Sequence, residues 1–112
     1  MSDIQQIELT KEQAEQSVKL MNRLERLNKN KDFKALIEDE LFNSYSTSLV
    51  LLLSDPSMQE DIVQRDITLD MQMIGRFRQF LSGINQKGRL AEKTLEDANI
   101  QLAELRAEGG DE

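Results

Sequence analysis

The sequence predicts an all-α protein: an N-terminal helix, one or two short middle helices, and a long C-terminal helix of coiled-coil type. Three observations carry that prediction. The chain has one proline (Pro56), five glycines, one tyrosine, four phenylalanines and no tryptophan, few strand formers and few turn residues. Its apolar residues return every three or four positions, the helical period. From Ser57 to Ala107 there is no proline, and a seven-residue apolar repeat persists.

With 112 residues, 38% apolar and 31% charged, the chain has material for one modest core. The expected organisation is a single helical domain over residues 1–107, with a helix at 11–29, a short helical region at 32–53, a long helix at 57–107 and a disordered tail at 108–112. Thr10 is the expected N-cap of the first helix, with Gln13 three residues on completing a capping box. Ala14, Val18, Leu20, Met21, Leu24 and Leu27 then form one broad apolar face. Asn28-Lys29-Asn30 ends the helix, since asparagine tolerates a left-handed conformation and lysine suits a helix C-terminus.

The second helical stretch opens at Asn30 to Asp32 and buries Phe33, Leu36, Ile37 and Leu41. Asn43-Ser44 is a candidate interruption. The run Leu49 to Leu53 suits either a buried strand or a short helix, and the lack of a visible partner strand favours the helix. Ser54-Asp55-Pro56 marks the clearest boundary, with Asp55 able to cap and Pro56 suited to a first helical turn.

In the long helix, with Ile67 as heptad position a, the a series is Ile67, Ile74, Leu81, Gly88, Leu95, Leu102, and the d series is Asp70, Phe77, Ile84, Ala91, Ala98, Leu105. Only Asp70 is polar. Unbroken, this helix would be about 75 Å long, beyond a compact domain with a radius of gyration of roughly 13 Å. Either Gly83 or Gly88 breaks it, or it runs through and its tail pairs with the first helix or with another subunit. A preserved apolar register across both glycines favours the continuous helix. Small residues at Gly88, Ala91 and Ala98 mark the closest helix approach. Asp70 at a d position marks a change of packing or a cation such as Arg65 or an arginine of another chain. The predicted interface is therefore Ile74, Phe77, Leu81, Ile84, Ala91, Leu95, Ala98, Leu102 and Leu105.

The chemistry available is narrow. Without cysteine there is no disulfide, thiolate nucleophile or cysteine-based zinc site; without histidine the commonest metal ligand and general base are missing. Glu38-Asp39-Glu40 are consecutive, about 100° apart on a helix, and read as a solvated face rather than a Mg²⁺ or Ca²⁺ site. Ser44, Ser46 and Ser48 have no activating base or nucleophile elbow and read as local backbone partners. Gly83 and Gly88 sit in no phosphate-cradling pattern. The expectation is a non-enzyme with no catalytic, metal or cofactor residues.

The formal charge of −7 is unevenly placed. Residues 31–75 carry nine acids and three bases; residues 76–93 reverse the sign, with Arg76, Arg78, Lys87, Arg89 and Lys93 against Glu92. Phe77 and Phe80 interleave with this basic band but fall at seam positions, and the surrounding acids oppose a phosphate backbone, so nucleic acid is not an expected partner. Docking of the basic band on the acidic half of another subunit fits better. Met1 to Gln6 lack a secretory pattern, and the longest apolar run is far below the roughly 20 residues of a membrane span. The reading is a soluble, cytoplasmic, self-associating chain without membrane contact.

Leu24-Glu25-Arg26-Leu27, Asn30-Lys31-Asp32-Phe33, Leu51-Leu52, Ser54-Asp55-Pro56, Ile74-Gly75, Phe77-Arg78, Phe80-Leu81, Gly88 and Ala91-Glu92 together resemble a group of small acidic helical proteins encoded by tailed bacteriophages. The chain departs from that group at Glu40-Leu41-Phe42, where a Gly-Tyr-Phe step is common. The resemblance implies a late-expressed virion structural or assembly protein, located in the cytoplasm of the infected host cell or in the virion and partnered by itself or another phage protein. It supplies no catalytic residues. The alternative is a phage-encoded inhibitor or adaptor that binds a host protein through its acidic face.

Overall fold

A computed structural model describes residues 2–109. Among them there is no strand. The elements are helix α1 (Asp3–Asn28), a helical run over residues 31–53 (α2), a 3₁₀ turn (Pro56–Met58) and one unbroken helix α3 (Asp61–Ala107).

Helix α1 starts eight residues before the expected Lys11. The reason is a capping box that opens earlier: the Ser2 N–H donates to Gln5 Oε1 at 3.1 Å and the Gln5 N–H donates to Ser2 Oγ at 3.1 Å. Thr10 is thus an interior residue, and Ile4 and Ile7 extend the apolar stripe backwards. At the other end α1 stops at Asn28, as its sequence suggests. The turn uses no left-handed asparagine, because no non-glycine described residue has positive φ. Instead Asn30 takes an extended conformation (φ −74°, ψ 129°), and its Oδ1 accepts the Phe33 N–H at 3.0 Å, capping α2.

Helix α2 is α-helical at Lys31–Phe33, π-helical at Lys34–Tyr45 and α-helical again at Ser46–Leu53. Asn43-Ser44 does not interrupt it. The wider turn shows in the serines, whose hydroxyls donate five residues back: Ser44 Oγ to the Asp39 carbonyl (3.3 Å) and Ser46 Oγ to the Leu41 carbonyl (2.8 Å). With more residues per turn, the inward face falls on Phe33, Ile37, Leu41, Phe42, Ser46 and Leu49, and Leu36, expected inside, is 65% exposed.

Asp55 caps the 3₁₀ turn, accepting the Ser57 N–H (2.9 Å) and Ser57 Oγ–H (2.8 Å), with Pro56 in the first turn. The backbone hydrogen bond, then the hydroxyl, stabilises the carboxylate and lowers the Asp55 pKa from its usual 3.8. The long helix begins at Asp61 and not at Ser57, because Gln59 leaves helical geometry (φ −95°, ψ 1°). Two glutamine amides satisfy the carbonyls this exposes. Gln59 Nε2 donates to the carbonyls of Leu53 (3.2 Å) and Asp55 (2.7 Å); Gln64 Nε2 donates to those of Leu53 (3.1 Å) and Met58 (2.7 Å). Gln64→Leu keeps the volume and removes both donors, and is expected to cost about 1–2 kcal/mol in a urea melt.

Helix α3 passes Gly75, Gly83 and Gly88 without a break. Glu108 and Gly109 form a turn at its end, with Gly109 in the left-handed region (φ 74°) and its N–H bonded to the Arg106 carbonyl, the usual glycine stop. Of the expected tail 108–112, residues 110–112 lie outside those described.

Backbone contacts gather the chain into two compact units, Met1–Glu25 with Gly83–Glu112, and Arg26–Ser82, where the sequence suggested one domain. In the first, Gly88 lies against Met21, and Arg106 Nη2 meets Glu8 Oε1 at 3.2 Å. Position numbers rise on one helix as they fall on the other, so the two segments are antiparallel. Ile4, Ala14, Met21 and Leu24 on α1 and Ala91, Ala98 and Leu102 on α3 are buried. The register set by Gly88 and Met21 puts Ala91 level with Val18 and Leu95 level with Ala14, small against large along the seam. In the second unit the buried residues are Leu49 and Ile67.

Candidate interaction surfaces

The residues expected at an interface divide between the two units. Ile74, Phe77 and Leu81 belong to the second, Ile84, Ala91, Leu95, Ala98, Leu102 and Leu105 to the first. Ala91, Ala98 and Leu102 are buried and the other six half-buried within the chain. The heptad seam therefore closes, in each unit, on helices of the same chain.

In the second unit the seam meets α2. Phe77 packs on Phe42 with ring centroids 5.8 Å apart and planes inclined at 52°, and the Arg78 guanidinium lies 5.7 Å from the Phe42 ring centroid, within cation–π range. Ile74, Gly75 and Met71 line a small cavity of about 220 Å³ with Phe42, Ser46 and Val50. Arg78, counted from sequence with the basic band, is thus engaged with an aromatic of its own chain. Asp70, the polar member of the d series, is exposed and in no ion pair among the described residues; it stands at the edge of the seam, where the inward face has turned away.

In the first unit a groove of about 580 Å³ runs between the start of α1 and the end of α3. It combines apolar Ile7 and Leu105 with the carboxylates Asp3, Asp97, Glu104 and Glu108. The Glu38-Asp39-Glu40 triplet lies on the π-helical part of α2; Asp39 and Glu40 are exposed. Among the described residues no group of three or more carboxylates is placed to hold a metal ion, and no helix is long and apolar enough to cross a membrane.

A surface that the heptad assignment passes over lies on α3 of the second unit. Ile62, Leu69, Met73 and Phe80 are 65%, 49%, 68% and 63% exposed. At 100° per residue they fall within an arc of about 40° on the helix circumference, turned well away from the inward Ile67, Met71 and Ile74. Scattered exposed leucines are ordinary on a protein surface; four large apolar side chains aligned on one face are not. The signal was present in the spacing 62, 69, 73, 80. It was overshadowed by the longer Ile67 series, which accounts for the inward face alone.

No family model, curated protein or solved structure matches the chain.

Proposed function

We propose that the chain is a non-enzymatic phage structural or assembly protein that acts through helix–helix interfaces as an oligomer, in the host cytoplasm or the virion. The observation that carries the interaction part is the aligned, exposed apolar face Ile62, Leu69, Met73 and Phe80 on a helix whose opposite side is already packed. Such a face stabilises an assembly when a second helix removes it from water. The phage part draws on the resemblance carried by Asn30-Lys31-Asp32-Phe33, Ser54-Asp55-Pro56 and the residues around Phe77.

Light scattering combined with affinity purification from infected cells tests this reading. The expected result is an oligomer, or a virion or assembly protein that co-purifies with it. A strict monomer that brings down no phage protein would overturn it. Recovery of a single host enzyme, lost when Glu38, Asp39 and Glu40 become lysine, would replace it with the inhibitor reading.

A further inference from the structure

The exposed face of α3 has an internal symmetry that identifies its occupant. Along it, Ile62, Asp66, Leu69, Met73, Arg76 and Phe80 follow one another at intervals of four, three, four, three and four residues. All six are exposed. Read from either end, the order is apolar, charged, apolar, apolar, charged, apolar, and reversal exchanges the acid for the base. The pattern is centred on position 71: 62 mirrors 80, 66 mirrors 76, and 69 mirrors 73.

Building on the assembly reading, the geometry points to a second copy of this chain as the occupant, docked antiparallel about a two-fold axis level with residue 71. In an antiparallel pair of helices each seam layer combines position i of one copy with its mirror position on the other. The layers here are Ile62 with Phe80, Asp66 with Arg76, Leu69 with Met73, and the same three repeated by symmetry. Both charged layers then join an aspartate to an arginine, and the remaining four are apolar. A parallel pair would set Asp66 against Asp66 and Arg76 against Arg76, placing like charges in two layers of the same seam. Charge complementarity therefore selects both the partner and its direction.

The pair is short, four apolar side chains from each copy, and Asp70 of each copy flanks the axis on the same side. Its dissociation constant is expected to be about micromolar, as for small and transient interfaces. This surface uses none of the seam residues buried within the chain, so changes on it leave the inward packing intact.

Charge reversal and cross-linking test the pairing on the whole chain. In sedimentation equilibrium, Asp66→Arg alone and Arg76→Asp alone are each expected to weaken association at least about tenfold, and the double variant to restore it. The chain has no cysteine, so introduced ones report without background. Ile62→Cys mixed with Phe80→Cys is expected to form a disulfide between copies. Neither variant alone should, since Ile62 and Phe80 stand about 27 Å apart along the helix. Self-cross-linking of Ile62→Cys, or a dimer indifferent to the single charge reversals, would overturn the pairing while leaving an assembly role in place. A chain monomeric at every concentration would also overturn it, and the assembly reading would then stand or fall on co-purification.

Discussion

Gly88→Val is expected to lower the melting temperature by about 10 °C, through roughly 2 kcal/mol of overpacking. A Cβ added at Gly88 would fall 2.7 Å from Met21 Cγ and still closer to Met21 Cβ. Met21 is itself buried, and its Cβ is fixed to the α1 backbone, so α1 must move for any side chain to fit. Alanine tests the same point with two effects in opposition. Gly→Ala in a helix ordinarily gains about 1 kcal/mol in propensity, and the contact with Met21 should reverse that sign. Gly75 and Gly83, where an added Cβ meets nothing within 4 Å, provide the contrast on the same helix. Gly75→Ala and Gly83→Ala should raise the melting temperature while Gly88→Ala lowers it. Thermal denaturation of the three variants decides this, and equal stabilisation by all three would refute the close approach. Met21→Ala should not rescue Gly88→Ala, because alanine keeps the Cβ that stands nearest to the added one.

That close approach was legible in the sequence, and the reason is instructive. A glycine at a seam position, followed by Ala91 and Ala98 at seam positions, has no better use than to bring two backbones together, and the apolar register continued through it. The course of α3 was legible for the same reason. Its start was misplaced because Pro56 signals a helical first turn without saying how many turns follow; the answer lay in Gln59 and Gln64, whose amides bond carbonyls up to eleven residues away in sequence. The start of α1 was misplaced because two capping boxes fit the pattern, Ser2 with Gln5 and Thr10 with Gln13, and local rules do not rank them. Ile4 and Ile7 do, since only the earlier start buries Ile4. In α2 the error lay in the period: 3.6 residues per turn brings Leu36 inward, and the π-helical turn carries it out. The exposed stripe on α3 escapes a heptad pattern because such a pattern gives a helix one apolar face, and this one has two.

Two of the four leucines in the hydrophobic run of α2 should respond very differently to truncation. Leu49 is 3% exposed and Leu51 is 67% exposed, although hydropathy alone cannot distinguish them. Removing three buried carbons at Leu49 loses their transfer energy and leaves a void that the surrounding side chains fill only in part, so Leu49→Ala is expected to cost about 2–5 kcal/mol. Leu51→Ala exposes nothing new and should stay within about 0.5 kcal/mol of the parent. Since Leu49 and Ile67 are the buried residues of the second unit, the loss should be regional. Native-state hydrogen exchange should show amides of residues 31–53 opening at a free energy lowered by most of the measured loss, with amides around Met21 and Leu102 changed less. Equal effects at Leu49 and Leu51 would mean that α2 does not bury the face described, and uniform loss of protection in both units would mean that they unfold as one.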